Sequence, residues 1–113
     1  MNKLHTVKNN YEFDEIIKNN KAYKYKDYVI YLSKSDTTYK FGISVGKKIG
    51  NAVTRNKYKR RIRSIIDKNN YKDGFKCIII LGKGVLDKSY QEMEKNLTDA
   101  FKNIKIIKEK ENE

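Results

Sequence analysis

One stretch decides the fold: Phe75-Lys76-Cys77-Ile78-Ile79-Ile80-Leu81, which is apolar at every position except Lys76. It follows Asp73-Gly74, a pair that favours a turn. A strand that is apolar on both of its faces is typically covered by other elements on both faces of the sheet. We therefore predict that residues 75–81 form a strand in the middle of a sheet, with other elements packed on both sides of it.

Two segments upstream of this strand alternate as strands do. The first runs from Tyr25 to Ser33 and carries aromatic or branched side chains on both sides. The second runs from Tyr39 to Gly46 and alternates large apolar residues with small or polar ones. A polar break at Ser35-Asp36-Thr37 separates them, and we expect the two strands to pair as a hairpin.

Three segments have the apolar spacing of helices. Asn10 can cap a helix from Tyr11 to Asn20, and the segment from Asn51 to Asp67 has one apolar face. Ser89 and Glu92 form a capping box in front of a last amphipathic helix. The predicted order is αββαβα, an α+β sandwich around a central mixed sheet of three or four strands, and a crossover between parallel strands is right-handed by the usual rule.

The rest of the chain limits the possible functions. We expect one domain over residues 1–113, in which the charged tail 105–113 frays. The apolar run Cys77 to Gly82 is far shorter than the ~20 residues of a membrane-spanning helix, and the N-terminus does not resemble a signal peptide, so we expect a cytoplasmic protein without a membrane partner. Cys77 is the only cysteine, which predicts a buried inert thiol and no disulfide-linked partner. His5 is also alone, and we expect it on the surface of a mobile N-terminus.

The positive charge is concentrated in one part of the chain. The net charge is +12, and residues 37–66 contain nine Lys or Arg and no carboxylate. All four arginines lie within the nine residues from Arg55 to Arg63. At helical spacing, an outward stripe beside the apolar face is formed by Asn56, Lys59, Arg60 and Arg63. Unrelieved like charge on one helix is destabilising unless a polyanion neutralises it, so this stretch predicts a nucleic-acid surface.

Three other classes of protein are alternatives to this interpretation. An independent nuclease needs carboxylates for metal ions or a general base, and the basic half of the chain has none, so no catalytic residue is predicted. A ribosomal or ribosome-associated protein explains the charge equally well. A protein that binds a membrane surface is less favoured, because the basic helix lacks the bulky apolar face that inserts into the interface.

The basic stretch also resembles a known family. Residues 47–63 resemble the RNR motif of the bacterial ribonuclease P protein, and they are Lys47-Lys48-Ile49-Gly50-Asn51-Ala52-Val53-Thr54-Arg55-Asn56-Lys57-Tyr58-Lys59-Arg60-Arg61-Ile62-Arg63. The resemblance implies a subunit that binds the catalytic ribonuclease P RNA and the 5′ leader of precursor tRNA. It further implies that the RNA itself cleaves the phosphodiester bond with Mg²⁺ ions, and that the chain holds no metal of its own. The resemblance also implies a left-handed βαβ crossover, against the usual rule.

The resemblance also assigns roles to individual residues. It implies an RNA-binding surface formed by Lys47, Lys48, Arg55, Asn56, Lys57, Lys59, Arg60, Arg61 and Arg63. It implies a leader cleft lined by Phe13, Ile17, Tyr31, Lys59, Arg60 and Arg63. From the residues alone, Phe13 and Tyr31 are expected in the core, and the resemblance moves Tyr31 to the cleft. Two positions depart from the family pattern: Lys57 replaces the second arginine of the motif, and Ile17 replaces a frequent second phenylalanine.

Overall fold

The computed structural model describes residue 1 and residues 3–108. The helices are α1 (Asn10–Asn19), α2 (Ala52–Asp67) and α3 (Tyr90–Asn103). The strands are β1 (Ala22–Lys24), β2 (Tyr28–Lys34), β3 (Lys40–Ser44) and β4 (Phe75–Leu81). The predicted α+β class is confirmed, and the elements follow the predicted order with one additional strand, β1.

The four strands form one mixed sheet in the order β1-β2-β4-β3. The central place predicted for residues 75–81 is confirmed, because β4 pairs antiparallel with β2 and parallel with β3. The predicted hairpin between the two upstream strands is wrong, since β4 lies between β2 and β3. The chain after β2 joins the start of β4 instead: the N–H of Ser35 donates to the carbonyl of Gly74 at 2.9 Å. The left-handedness of the β3-α2-β4 crossover stays a prediction.

One face of the sheet is largely covered by α2 and α3. Phe41 of β3, Cys77 and Ile79 of β4 and Phe101 of α3 are all completely buried in this core. An aromatic cluster closes one end of it, with the rings of Phe41 and Tyr71 4.9 Å apart at 65°. Burial raises the pKa of the Cys77 thiol well above its usual value, as expected for an inert core cysteine. Each large apolar side chain buried here contributes about 1.5–3 kcal/mol, so this core is a major source of stability.

Of the two predicted helix caps, the structure confirms one. Asn51 caps α2 by accepting from the N–H of Thr54, and Ser89 and Glu92 form the predicted capping box of α3. The backbone N–H of Ser89 that donates to Glu92 lowers the pKa of that carboxyl. The prediction for α1 is wrong by one residue, because Asn9 and not Asn10 is the cap. Two adjacent asparagines offer the same side chain, and only the position of the first helical turn selects between them.

Both ends of the described chain are better packed than predicted. His5 stacks on Tyr39 at 3.9 Å, because the segment before α1 lies along β3, where the N–H of Val7 donates to the carbonyl of Phe41. The expectation of a surface histidine on a mobile N-terminus is therefore wrong. Ile106 is buried and the N–H of Lys108 donates to Asn70, so the predicted fraying is wrong for residues 105–108. The remainder of the tail that we predicted to fray, residues 109–113, lies outside the described residues.

Candidate RNA interface

Helix α2 packs on the core along one stripe, and most of its basic residues lie outside that stripe. Its buried residues lie on the face turned to the core and are Tyr58, Ile62, Ile65 and Ile66. This confirms the predicted apolar face. The predicted outward stripe is also confirmed as a surface, because Asn56, Arg60 and Arg63 are exposed and Lys59 is partly exposed. Lys57 is exposed as well.

The entry to α2 adds two further cations. Lys47 and Lys48 are exposed in the 3-10 turn Lys47–Ile49, whose third residue is buried. Gly50 then adopts φ 152° between this turn and the helix, a conformation that L side chains rarely adopt. The glycine therefore allows the sharp change of direction that brings Lys47 and Lys48 next to the first turn of α2.

Two arginines of α2 are partly buried, and they differ in their surroundings. Arg61 lies over the ring of Tyr58 at 5.2 Å and its Nη1 is 4.0 Å from the sulfur of Met93, so it packs between α2 and α3. Arg55 is on the other flank of the helix, and its Nε is buried without a hydrogen-bond partner. A buried guanidinium nitrogen is costly to leave unpaired. Arg55 therefore has an unused donor, whereas Arg61 has a packing role.

The basic residues of this surface are not neutralised by nearby carboxylates. In the described part of the chain, no ion pair involves Lys47, Lys48 or any Lys or Arg from position 55 to 63. The described ion pairs of lysine side chains involve Lys68, Lys76, Lys88 and Lys95. The exposed cations of α2 are therefore unpaired within the described residues and can attract a polyanion.

The opposite face of the sheet carries α1. Phe13 packs against Gly42 so closely that a Cβ built on the glycine would lie 2.6 Å from the phenyl ring. Phe13, Ile17 and Tyr31 are all partly buried around a small cluster that contains Ile16 and Ile78. The structure thus brings together the three predicted cleft residues that do not belong to α2.

Beyond Tyr31, this face of the sheet is only partly covered. The strand register aligns Val29 of β2 with Ile80 of β4, and Ile80 with Ser44 of β3. All three are partly exposed, and we call them the open row. Ile80 packs against the same small cluster as Phe13, Ile17 and Tyr31. We call the partly exposed surface that these residues form with the rest of the open row the cleft. Val29 and Ile80 were missed as cleft residues, although Val29 is two positions from Tyr31 and therefore on the same face.

No described contact joins Lys59, Arg60 or Arg63 to the cleft, and their place along its edge stays a prediction. The buried stripe of α2 packs on the other face of the sheet, and α3 lies on the Arg61 flank, where Ser64 and Tyr90 share a hydrogen bond of 2.7 Å. The flank that carries Arg55 and Lys59 therefore faces away from α3. The open row ends at Ser44, three residues before Lys47, so the cleft leads toward the start of α2.

Two other grooves carry balanced charges. A cavity of about 490 Å³ lies on the other flank of α1, where Glu12 and Lys76 form an ion pair. A cavity of about 680 Å³ lies between α3 and the loop before β2, where Lys95 pairs with Asp99 and Lys88 with the buried Asp27. Because their charges are largely paired within the protein, neither cavity has the unneutralised positive character of α2.

Comparison with known proteins identifies the family. Residues 1–105 match the model of the ribonuclease P protein family. A ribonuclease P protein component of Mycoplasma mycoides is 44% identical, over 93% of this chain and 100% of the relative. One from Streptococcus pneumoniae is 40% identical, over 96% of this chain and 91% of the relative.

This chain belongs to the ribonuclease P protein family. Solved structures agree with this assignment: a mutant ribonuclease P protein of Staphylococcus aureus superposes with a TM-score of 0.83 at 30% identity, covering 92% of this chain and 91% of that one. The Thermotoga maritima ribonuclease P protein has a TM-score of 0.79 at 25% identity, covering 88% and 96%. The resemblance inferred from residues 47–63 is confirmed, and with it a role as a subunit of ribonuclease P.

The described residues set limits on other chemistry. Among residues 1 and 3–108, no group of three or more His, Cys, Asp or Glu side chains is arranged to hold a metal ion. No helix in the same residues is long and apolar enough to cross a membrane.

Proposed function

We propose that this chain binds ribonuclease P RNA through α2 and the turn before it, and holds the 5′ leader of precursor tRNA in the cleft. The observation that carries the proposal is the exposed basic surface of α2, which has no ion pair within the described residues. A polyanion that neutralises this surface releases counterions and removes the repulsion between the cations. The cytoplasm is the compartment that we propose for this role.

Different residues of α2 are suited to different contacts with RNA. Arg60 and Arg63 are exposed and can each grip a phosphate with two donors. Asn56 is uncharged in the same stripe and can exchange a directed hydrogen bond with a phosphate or a 2′-hydroxyl. The unpaired Nε of Arg55 supports a contact with an RNA oxygen. Lys57 supplies a point charge without a planar fork, so we propose a less directional contact there.

The cleft is suited to a single strand of any sequence. Its aromatic side chains, Phe13 and Tyr31, are partly exposed and can stack on bases, and the open row supplies an apolar floor. Stacking is worth ~1–3 kcal/mol per base and tolerates sequence, because every base has a π-face. A leader that differs from one precursor tRNA to another can be bound in this way. We propose that Lys59, Arg60 and Arg63 contact its phosphates where it approaches α2.

The bond cleavage is assigned to the RNA. Mg²⁺ ions bound by the RNA would supply the chemistry, as the family resemblance implies. The protein contributes by binding and orienting the leader, and its charge offsets repulsion between the two RNAs when Mg²⁺ is scarce.

The proposal is tested by multiple-turnover cleavage of a precursor tRNA by a bacterial ribonuclease P RNA at limiting Mg²⁺. The reaction is followed with the RNA alone, with the protein alone and with both. We expect strong stimulation by the protein and no cleavage without the RNA. If a cognate RNA binds tightly but cleavage is not stimulated, the proposed contribution of this chain to leader binding and cleavage fails.

A further inference from the structure

The open row continues to a lysine at the edge of the sheet. Lys24 of β1 pairs with Val29, so the register runs from Lys24 through Val29 and Ile80 to Ser44. Residues directly opposite in paired strands point to the same face. Lys24 therefore lies on the α1 face, at the end of the cleft that is farthest from Ser44. Three strand spacings of ~4.8 Å separate the ends, about 14 Å in total.

The surroundings of Lys24 leave its ammonium group available. Tyr23, the preceding residue, packs on the α2 and α3 core, which agrees with the opposite orientation of Lys24. Lys24 is exposed and takes part in no ion pair among the described residues. β1 is an edge strand of the described sheet, so no further strand covers this end of the row. The cleft thus has an apolar floor and an unpaired cation at its β1 end.

We propose that Lys24 binds a phosphate of the precursor leader at the point where the leader leaves the cleft. The inference rests on the proposed function and adds a direction to it. If α2 binds the catalytic RNA, the bond to be cleaved lies toward the Ser44 end, where the chain leads into Lys47 and α2. The leader then crosses the open row toward β1, and only leaders long enough to cross it reach Lys24.

A structural role for Lys24 makes a different prediction. Lysines on edge strands prevent pairing with other chains, and such a lysine protects against aggregation without contacting RNA. In that case its removal has the same effect, or none, on every substrate. Contact with the far part of the leader instead requires an effect that appears only beyond a certain leader length.

The experiment compares holoenzymes that contain wild-type protein, Lys24→Ala, Lys24→Arg and the control Lys26→Ala. Lys26 is an exposed lysine two residues away that lines the 680 Å³ groove beside α3. Affinities are measured for mature tRNA and for precursors whose leader grows by one nucleotide at a time. We expect Lys24→Ala to match wild type for mature tRNA and short leaders, and to bind long leaders roughly threefold to tenfold more weakly.

The salt dependence gives a second readout. For long leaders, Lys24→Ala should flatten the slope of log affinity against log salt by about 0.7, the value for one phosphate of a single strand. Lys24→Arg keeps the charge and should bind like wild type. Equal affinities of Lys24→Ala and wild type at all leader lengths, or an equal loss with mature tRNA, would overturn the inference. If wild-type affinity does not depend on the leader at all, the proposed leader cleft fails as well.

Discussion

The two faces of the sheet are built from the same strands, but they are covered to different extents. In β4, Ile79 faces α2 and α3 and is completely buried, while its neighbour Ile80 faces α1 and is partly exposed. The amino acids are identical, so the difference arises from the helices above them: two long helices on one face and the ten residues of α1 on the other. One face therefore supplies much of the stability, and the other leaves apolar surface partly exposed, where we propose that the leader binds.

The largest expected effect is a difference in stability between variants of these two isoleucines. Ile79→Ala leaves a cavity in a closed core and should lower the free energy of unfolding by about 2–5 kcal/mol. Ile80→Ala removes side-chain atoms that already touch solvent, and we expect a loss of under about 1.5 kcal/mol, together with weaker binding of precursor tRNA. Urea denaturation of both variants checks the first part. Equal losses of stability would show that the two faces do not differ as described.

A smaller loss is expected where α1 packs on the sheet. Gly42→Ala places a methyl group 2.6 Å from Phe13 and 2.7 Å from Ile78, so these side chains have to move, at a cost of about 1–3 kcal/mol. Because Phe13 borders the cleft, precursor tRNA should bind more weakly relative to mature tRNA. Gly46→Ala is the control, since nothing lies within 4 Å of its added Cβ. The same result for both glycine variants would contradict the close packing of Phe13.

Variants on α2 should change RNA binding and leave stability nearly unchanged. Arg60→Ala and Arg63→Ala should each weaken binding to ribonuclease P RNA and flatten its salt dependence by about 0.7–0.9 for each phosphate that the variant no longer binds. Lys102→Ala, which removes an exposed cation from α3, serves as the control. Filter binding over a range of salt concentrations provides the slopes. Unchanged slopes in both arginine variants would count against α2 as the RNA surface.

The smallest expected effect is a gain. Ile17→Phe adds an aromatic side chain to α1 on the edge of the cleft. One additional stacking surface should strengthen binding of precursor tRNA by roughly twofold to fivefold, with no change for mature tRNA. Competition binding between the two tRNAs measures the ratio. A gain of the same size for both tRNAs would place the effect outside the leader site.

Local sequence patterns were sufficient to predict several parts of this fold. The uninterrupted apolar run of β4 indicated a central strand, because a strand with two apolar faces needs cover on both. The 3.6-residue spacing of Tyr58, Ile62 and Ile66 identified the packed stripe of α2, and by exclusion its basic face. The capping box at Ser89 fixed the start of α3. In each case the interacting residues are close in the sequence.

The errors concern interactions between residues that are far apart in the sequence. The polar break after β2 resembles a hairpin turn, but the choice between β3 and β4 as partner depends on how α2 carries the chain back. β1 has three residues, too few for a visible alternation, and its absence from the prediction also hid Lys24. The partial exposure of Ile80 could not be predicted, since it depends on how much of the sheet α1 covers.

The claim that the open face binds the leader is tested most directly at Tyr31. Holoenzymes with wild-type protein, Tyr31→Ala and Tyr11→Ala are compared for their affinity to precursor and mature tRNA. Tyr11 is the control, because it is an exposed tyrosine beside the groove on the other flank of α1. We predict that Tyr31→Ala weakens precursor binding roughly fivefold or more and leaves mature tRNA unchanged, while Tyr11→Ala changes neither. Equal losses for the two tRNAs in Tyr31→Ala would contradict the account and remove Tyr31 from the leader site.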